Sequence, residues 1–236
     1  MRSCPATILL LLSMAICGCH RQAGRAPAPG ISPMRAIYVQ DQRDRGELMS
    51  DAGDAIEPSR TMKAPEALSD DDMTRRDAER EVVVRSMLQH GQLITAQDFH
   101  DAAYIFQHGH TSDEYLLAHV LAVEAVARGG GADSKWIAAA TLDRYLQEIG
   151  QKQVFGTQYE DEGLAYYMQH RNEPNVGKKV MKMPTTETQE PYDPGLIPAA
   201  VRKDFCVPDL EQQRLQVEHD NKNEDFDAAR PAGCIR

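Results

Sequence analysis

The chain has no surplus of positive charge: 26 Lys and Arg stand against 36 Asp and Glu, a formal net charge of −10. A nucleic-acid binder would carry a basic stripe. Here Lys and Arg are scattered, with one short cluster at Lys178-Lys179, so no nucleic-acid partner is expected. From residue 20 onward no stretch gathers the ~18 uncharged apolar residues that a spanning helix needs. No GxSxG occurs, and no HExxH or i, i+4 pair of histidines, so neither a serine hydrolase elbow nor a zinc site is predicted. Gly129-Gly130-Gly131 lacks the Lys and Ser/Thr of a phosphate-binding loop and reads as a helix terminator. No cofactor and no metal is expected.

What is present begins with an address. In MRSCPATILLLLSMAICGCHRQ, Arg2 precedes an apolar run from Ala6 to Cys17. That is a secretory signal core, short of the roughly 20 residues of a membrane span. The run ends in Ile16-Cys17-Gly18-Cys19, which resembles the lipobox of bacterial lipoproteins. Cys19 is the candidate lipidation site, because the small Gly18 precedes it, whereas Cys17 would follow Ile16. By the sorting logic of that family, His20 after the lipidated Cys implies the outer membrane, facing the periplasm. Several acyl chains on one residue hold a protein firmly where a single chain does not, so the membrane is one expected partner.

Export also bears on the cysteines. With Cys4 and Cys17 in the signal and Cys19 lipidated, Cys206 and Cys234 remain. A pair in an oxidising compartment reads as a disulfide.

Along the chain, residues 1–18 are the expected signal peptide and 19–69 a flexible tether rich in Ala, Pro, Gly and charge. Such a tether spans roughly 40 Å root-mean-square. A short ordered piece at Met34–Val39 is the only alternative within it. Residues 70–159 read as a helical domain, 160–222 as an extension packing on it, and 223–236 as a tail. Ser69 followed by three aspartates is an N-cap with acids at the positive helix end. Met73, Val83, Val84, Met87 and Leu88 then share a face, and Gly91 stops the helix. Thr95 with Asp98 approaches a capping box. That helix buries Phe99, Ala102, Ala103 and Phe106 and stops at Gly109. Two more run from Thr111 or Ser112 to Gly129 and from Ala132 to Gly150.

The fold class is therefore mainly α: antiparallel helical hairpins with a tetratricopeptide- or Sel1-like flavour. No second copy recurs at a period near 34–40 residues, so a solenoid is not predicted. The C-terminal part is small and irregular or holds a β-hairpin pairing Gln153–Tyr159 with Gly177–Met183. Ile197–Phe205 and Asp209–Asn221 read as closing helices.

Among polar residues, FQHGHTSDEYLLAH holds His108, His110 and His119. His119 lies opposite Asp113, Glu124 and Arg128 on its helix and faces the interior. His108 ends a helix, where a partly positive imidazole suits the negative dipole end. His110 is in the joint. Asp143 falls at the edge of an apolar face and needs a partner, an arginine or a backbone amide. Two readings stand: Asp143 and Arg144 hold the segment after Gly150, or they form a pocket with His108 or His119 as base. In the second reading Gln153, Thr157 and Gln158 orient a ligand.

Gln107-His108-Gly109, Asp143-Arg144 and Gln153-x-x-Gly156-Thr157-Gln158 follow in order. With Asp77-Ala78-Glu79-Arg80, Leu116–His119 and the stretch from Pro191 to Gln212, they resemble an uncharacterised bacterial domain family with QHG, DR and Q-x-x-GTQ motifs. The resemblance covers residues 70–220 and implies a fold unit and a polar cluster, without a reaction. The expected function is a non-catalytic helical module binding an envelope protein or small ligand. The alternative is an envelope hydrolase using His108, Asp143, Arg144 and the Gln153–Gln158 segment.

Overall fold

A computed structural model describes residues 30–56, 65–170, 172–183, 186–224 and 226–234. The expected signal segment and Cys19 lie outside them. The described chain is mainly helical, with one small antiparallel sheet and no solenoid. Its core is built from α1 (Pro33–Asp44), α2 (Asp70–Gln89), α3 (Ala96–Phe106), α4 (Ser112–Ala127) and α5 (Ala132–Glu148).

The caps forecast from sequence form. The Ser69 hydroxyl accepts the Asp72 amide at 3.3 Å, and Thr95–Asp98 and Thr111–Glu114 are complete capping boxes. Each satisfies amides that the helix start leaves open. α3 is the central element: every residue from His100 to Phe106 is buried. Phe106 and Ile105 pack with Val84 and Met87 of α2, Leu121 of α4 and Ile137 of α5. Burying each large side chain contributes about 1.5–3 kcal/mol.

The expected tether is interrupted by α1, a correction with a specific cause. Its buried residues are Met34, Val39, Asp41 and Asp44, so half its inward face is acidic and shows no apolar period. The inner face of α2 is likewise Asp77, Arg80, Val84 and Met87, while Val83, assigned inward by periodicity, is half exposed. These charges face each other. Arg80 pairs with Asp41, Asp44 and Asp77; Arg45 pairs with Asp41 and Asp77; Arg76 pairs with Asp44. Buried charges persist only when paired in this way. The Ser32 hydroxyl caps α1 and also donates to Asp98 Oδ1 at 2.6 Å, tying the starts of α1 and α3 together.

After α5 the chain is organised around the loop at 153–158. The expected hairpin is replaced by other pairings. β1 (Glu160–Asp161) pairs antiparallel with β2 (Glu187–Thr188), and Gln153 bridges Tyr192. Between the strands lie α6 (Glu162–His170) and α7 (Val176–Val180), so Gly177–Val180 is helical. Closing helices α8 (Ala199–Asp204) and α9 (Leu210–Asp220) follow. Phe155 and Val154 form a second core with Ala139 and Val207. Gly156 has φ +71°, and a Cβ there would meet Tyr192 Cζ at 2.6 Å and Gln213 Oε1 at 2.7 Å. Only glycine combines that backbone with that close approach. The Cys206–Cys234 disulfide forms, closing a loop that contains α9.

Candidate functional site

The residues expected to form one polar pocket divide into two groups. Asp143 is fully buried. Its Oδ1 accepts the amides of Val154 and Phe155 at 2.7 and 2.9 Å; Oδ2 accepts the amide and hydroxyl of Thr157 at 3.0 and 2.8 Å. Burial pushes its pKa up while these donors pull it down. All four contacts need the carboxylate as acceptor. Gln153 is also fully buried and donates to the carbonyls of Gln158 and Gln189, while its Oε1 accepts the Gln158 amide. Gln158 Nε2 donates to the Ala140 carbonyl. From the other side, Arg202 and Gln213 donate to the Phe155 carbonyl, both at 2.7 Å. The Q-x-x-GTQ segment is thus a hub that closes the C-terminal part onto α5, with its polar groups spent on backbone.

His108 points elsewhere. It lines a shallow pocket of about 390 Å³ with Arg45, Asp77, Tyr115 and Arg144. Asp143, Gln153 and Gln158 do not line it. Arg144 connects the two regions, donating to Gln158 Oε1 at 3.0 Å and the Gln107 carbonyl at 2.7 Å. Burial, with Arg45 and Arg144 nearby, pushes the His108 pKa down to about 3. His108 is therefore a neutral imidazole, which corrects the expected partly positive helix-end cap. Its Nε2 is buried without a hydrogen bond, 3.8 Å from an Asp41 already paired to two arginines. His119 is half-buried and donates from Nδ1 to the Ala138 carbonyl at 2.9 Å; burial lowers its pKa. It is a packing residue bridging α4 and α5. His110 is exposed.

A third cluster was not anticipated from the sequence. A cavity of about 530 Å³ lies between α1, the turn at 50–56, α3 and the start of α5. Its lining includes Arg35, Tyr38, Asp54, Gln97, His100 and Tyr104. Behind it, the fully buried Asp101 accepts on Oδ1 from Arg35 Nη1 at 2.8 Å and Gln97 Nε2 at 2.8 Å, with His100 Nδ1 at 3.0 Å. The same Nδ1 also lies 3.1 Å from Gln97 Nε2, a donor, so it faces an acceptor and a donor at once. Nε2 is buried and has no hydrogen-bond partner. The His100 ring packs against Tyr104 and Tyr38, with centroids 4.9 and 5.9 Å away. Arg35 also donates to the Gly53 carbonyl, and a Cβ on Gly53 would meet Arg35 Nε at 2.5 Å. The turn therefore needs glycine to close over the guanidinium.

The signal for this cluster was present but weak. Gln97, His100, Asp101 and Tyr104 form a polar stripe at i, i+3, i+4, i+7 on a helix otherwise apolar inside. With α1 read as tether, that stripe would face solvent; with α1 in place it is enclosed. Among the described residues, no group of three or more His, Cys, Asp or Glu is placed to hold a metal ion.

Comparison with family models, curated proteins and solved structures finds no match to this chain.

Proposed function

We propose that the chain is a lipid-anchored protein of the bacterial envelope, held by Cys19 in the outer membrane facing the periplasm, whose helical part binds a small ligand without transforming it. The anchor rests on the lipobox-like Ile16-Cys17-Gly18-Cys19, supported by a Cys206–Cys234 pairing of the kind an oxidising compartment maintains. Binding rests on one observation: a polar cavity assembled from separate segments, with the buried His100 imidazole oriented by Asp101 and its Nε2 unpaired. Such convergence of a few positioned polar groups in an otherwise packed wall is what ligand sites use.

The hydrolase reading requires Asp143, Gln153 and Gln158 to face a substrate beside His108. All three are committed to backbone groups, and none lines the His108 pocket. That leaves the hydrolase with less support than the binding module.

Two measurements test the proposal. Cys19→Ala should move the protein from the membrane to the soluble fraction; persistence in the membrane would reject the anchor. A thermal-shift screen with envelope extracts, followed by mass spectrometry of the bound fraction, should recover a ligand chemically unchanged. Recovery of a cleaved product would favour the hydrolase.

A further inference from the structure

We infer that the pocket between the α3–α4 joint and the start of α2 is an anion site, where Arg144 receives the carboxylate of a small monocarboxylic acid. It is separate from the His100 cavity, and neither reading depends on the other.

Arg144 is a half-buried cation without a counter-ion. Its Nε donates to Gln158 Oε1 and its Nη1 to the Gln107 carbonyl, both neutral acceptors. Among the described residues no carboxylate pairs with it; Glu160 acts on it only at longer range and does not line the pocket. Burial pulls its pKa down, and Arg45 adds to the fall against Tyr115 and Glu160. The guanidinium nonetheless stays charged at neutral pH. Arg45 gives the contrast. Burial pulls its pKa down too, but Asp41 and Asp77 outweigh that and the net shift is upward. A cation removed from water without a partner is unfavourable until an anion reaches it.

The free donors open onto the pocket. Arg144 is the one residue of α5 in its lining, so it reaches the wall by its long side chain, and residues 107–110, where its Nη1 is anchored, line the same wall. Its Nη2 has no protein partner, and neither has Nη1 of Arg45, whose Nε and Nη2 hold Asp41 and Asp77. Neither nitrogen is among the buried unpaired polar atoms, so both meet solvent where these side chains line the pocket.

The charge count selects the ligand. Asp41, Asp44 and Asp77 balance Arg45, Arg76 and Arg80. Arg144 is then the surplus, with the exposed Asp70 at the rim. Two guanidiniums in one wall repel an organic cation. A phosphate monoester carries about −1.5 to −2 and would be repelled by Asp70 and Asp77 in the same lining. A carboxylate, with one charge and two acceptor oxygens, matches the supply of donors. Thr74, Gln107 and Tyr115 add neutral polar residues to the lining, and about 390 Å³ suits a small acid.

The test uses the full chain in detergent, with calorimetry and saturation-transfer NMR. The probes are lactate, N-acetylalanine and butyrate, with N-acetylalaninamide and inorganic phosphate as controls. At least one acid should bind saturably, and more weakly as salt is raised; the neutral amide should not bind. Arg144→Gln, which keeps a donor and removes the charge, should weaken binding at least tenfold. Because Arg144 also anchors two neighbours, Thr74→Glu on the exposed face of α2 provides a second variant that leaves the packing intact. It should weaken binding at least threefold by placing a like charge in the lining. No binding by the three acids overturns the assignment, as does equal binding of the amide. Unchanged affinity in either variant, once circular dichroism shows it folded, overturns it too. Preferential binding of phosphate rejects the monocarboxylate class. None of these outcomes bears on the His100 cavity.

Discussion

Asp143 Oδ1 accepts the backbone amide of Val154 at 2.7 Å, the first of four hydrogen bonds by which one buried carboxylate organises the loop after α5. Removing it would leave three amides without an acceptor in a dry interior. Asp143→Ala should cost about 3–5 kcal/mol, because each buried amide left without an acceptor costs about 1–3 kcal/mol. Urea unfolding by circular dichroism measures it. A loss under about 1 kcal/mol would show that the loop holds without its carboxylate.

Arg80 and Arg75 lie five residues apart on α2 and separate buried from surface ion pairing. Arg80 is 7% exposed and touches three aspartates. Arg75 is exposed and pairs with Asp72 and Glu79. Arg80→Met leaves Asp41, Asp44 and Asp77 with one arginine each and should cost about 3 kcal/mol, the low end for a broken buried pair. Arg75→Met should leave the thermal midpoint within experimental scatter, because exposed pairs are screened. Equal midpoints for the two variants would mean that the buried network adds nothing to stability.

Glu81 on α2 and Glu114 at the start of α4 share a hydrogen bond, and burial together with the Glu114 carboxylate pushes the Glu81 pKa up to about 7. In Glu114 burial is outweighed by its amide donors and by Glu81, so its pKa falls and it stays ionised. The native state thus holds a proton that the unfolded chain releases near pH 4.5. Stability from the Glu81 proton is complete below that value and is lost as pH rises through about 7. Glu81→Gln removes the titration. The variant should match the wild type near pH 4 and exceed it by about 1 kcal/mol at pH 8, after allowance for solvent screening. An identical pH profile for both proteins would reject the shared proton.

Cys206 and Cys234 close a 28-residue loop around α9. In the chain-entropy model this contributes about 3–4 kcal/mol. Native protein should resist thiol labelling until reductant is added. Reduction should then lower the urea midpoint, with hydrogen exchange rising first in α9. Ready labelling without reductant would show that the bridge does not form in solution.

Local chemistry is why α2 to α5 could be read from the chain. Ser69, Thr95 and Thr111 cap helices whose stops are Gly91, Gly109 and Gly129, and each signal lies within a few residues of what it controls. α1 escaped because Asp41 and Asp44 occupy inward positions. A carboxylate on a helix reads as solvent-facing unless its arginine is known, and Arg76 and Arg80 sit more than thirty residues away. The polar segment from Gln153 to Gln158 was visible as unusual, yet its partners at Gln189, Arg202 and Gln213 come from later in the chain. Residue type identified the groups; only their placement showed that they hold backbone.

By itself the sequence determined the charge balance, an apolar N-terminal run ending in a lipobox-like pattern, the helix boundaries that depend on caps and glycines, and the candidate cysteine pair. These follow from composition and from contacts within one or two helical turns. Tertiary structure decided which charges are buried. It placed α1 against α2 and α3, made His108 neutral, committed Asp143 to the loop, and enclosed His100 beside Asp101. Those outcomes depend on which distant groups arrive at a buried site, because a buried polar residue acquires its role from its partners rather than from its neighbours in the chain.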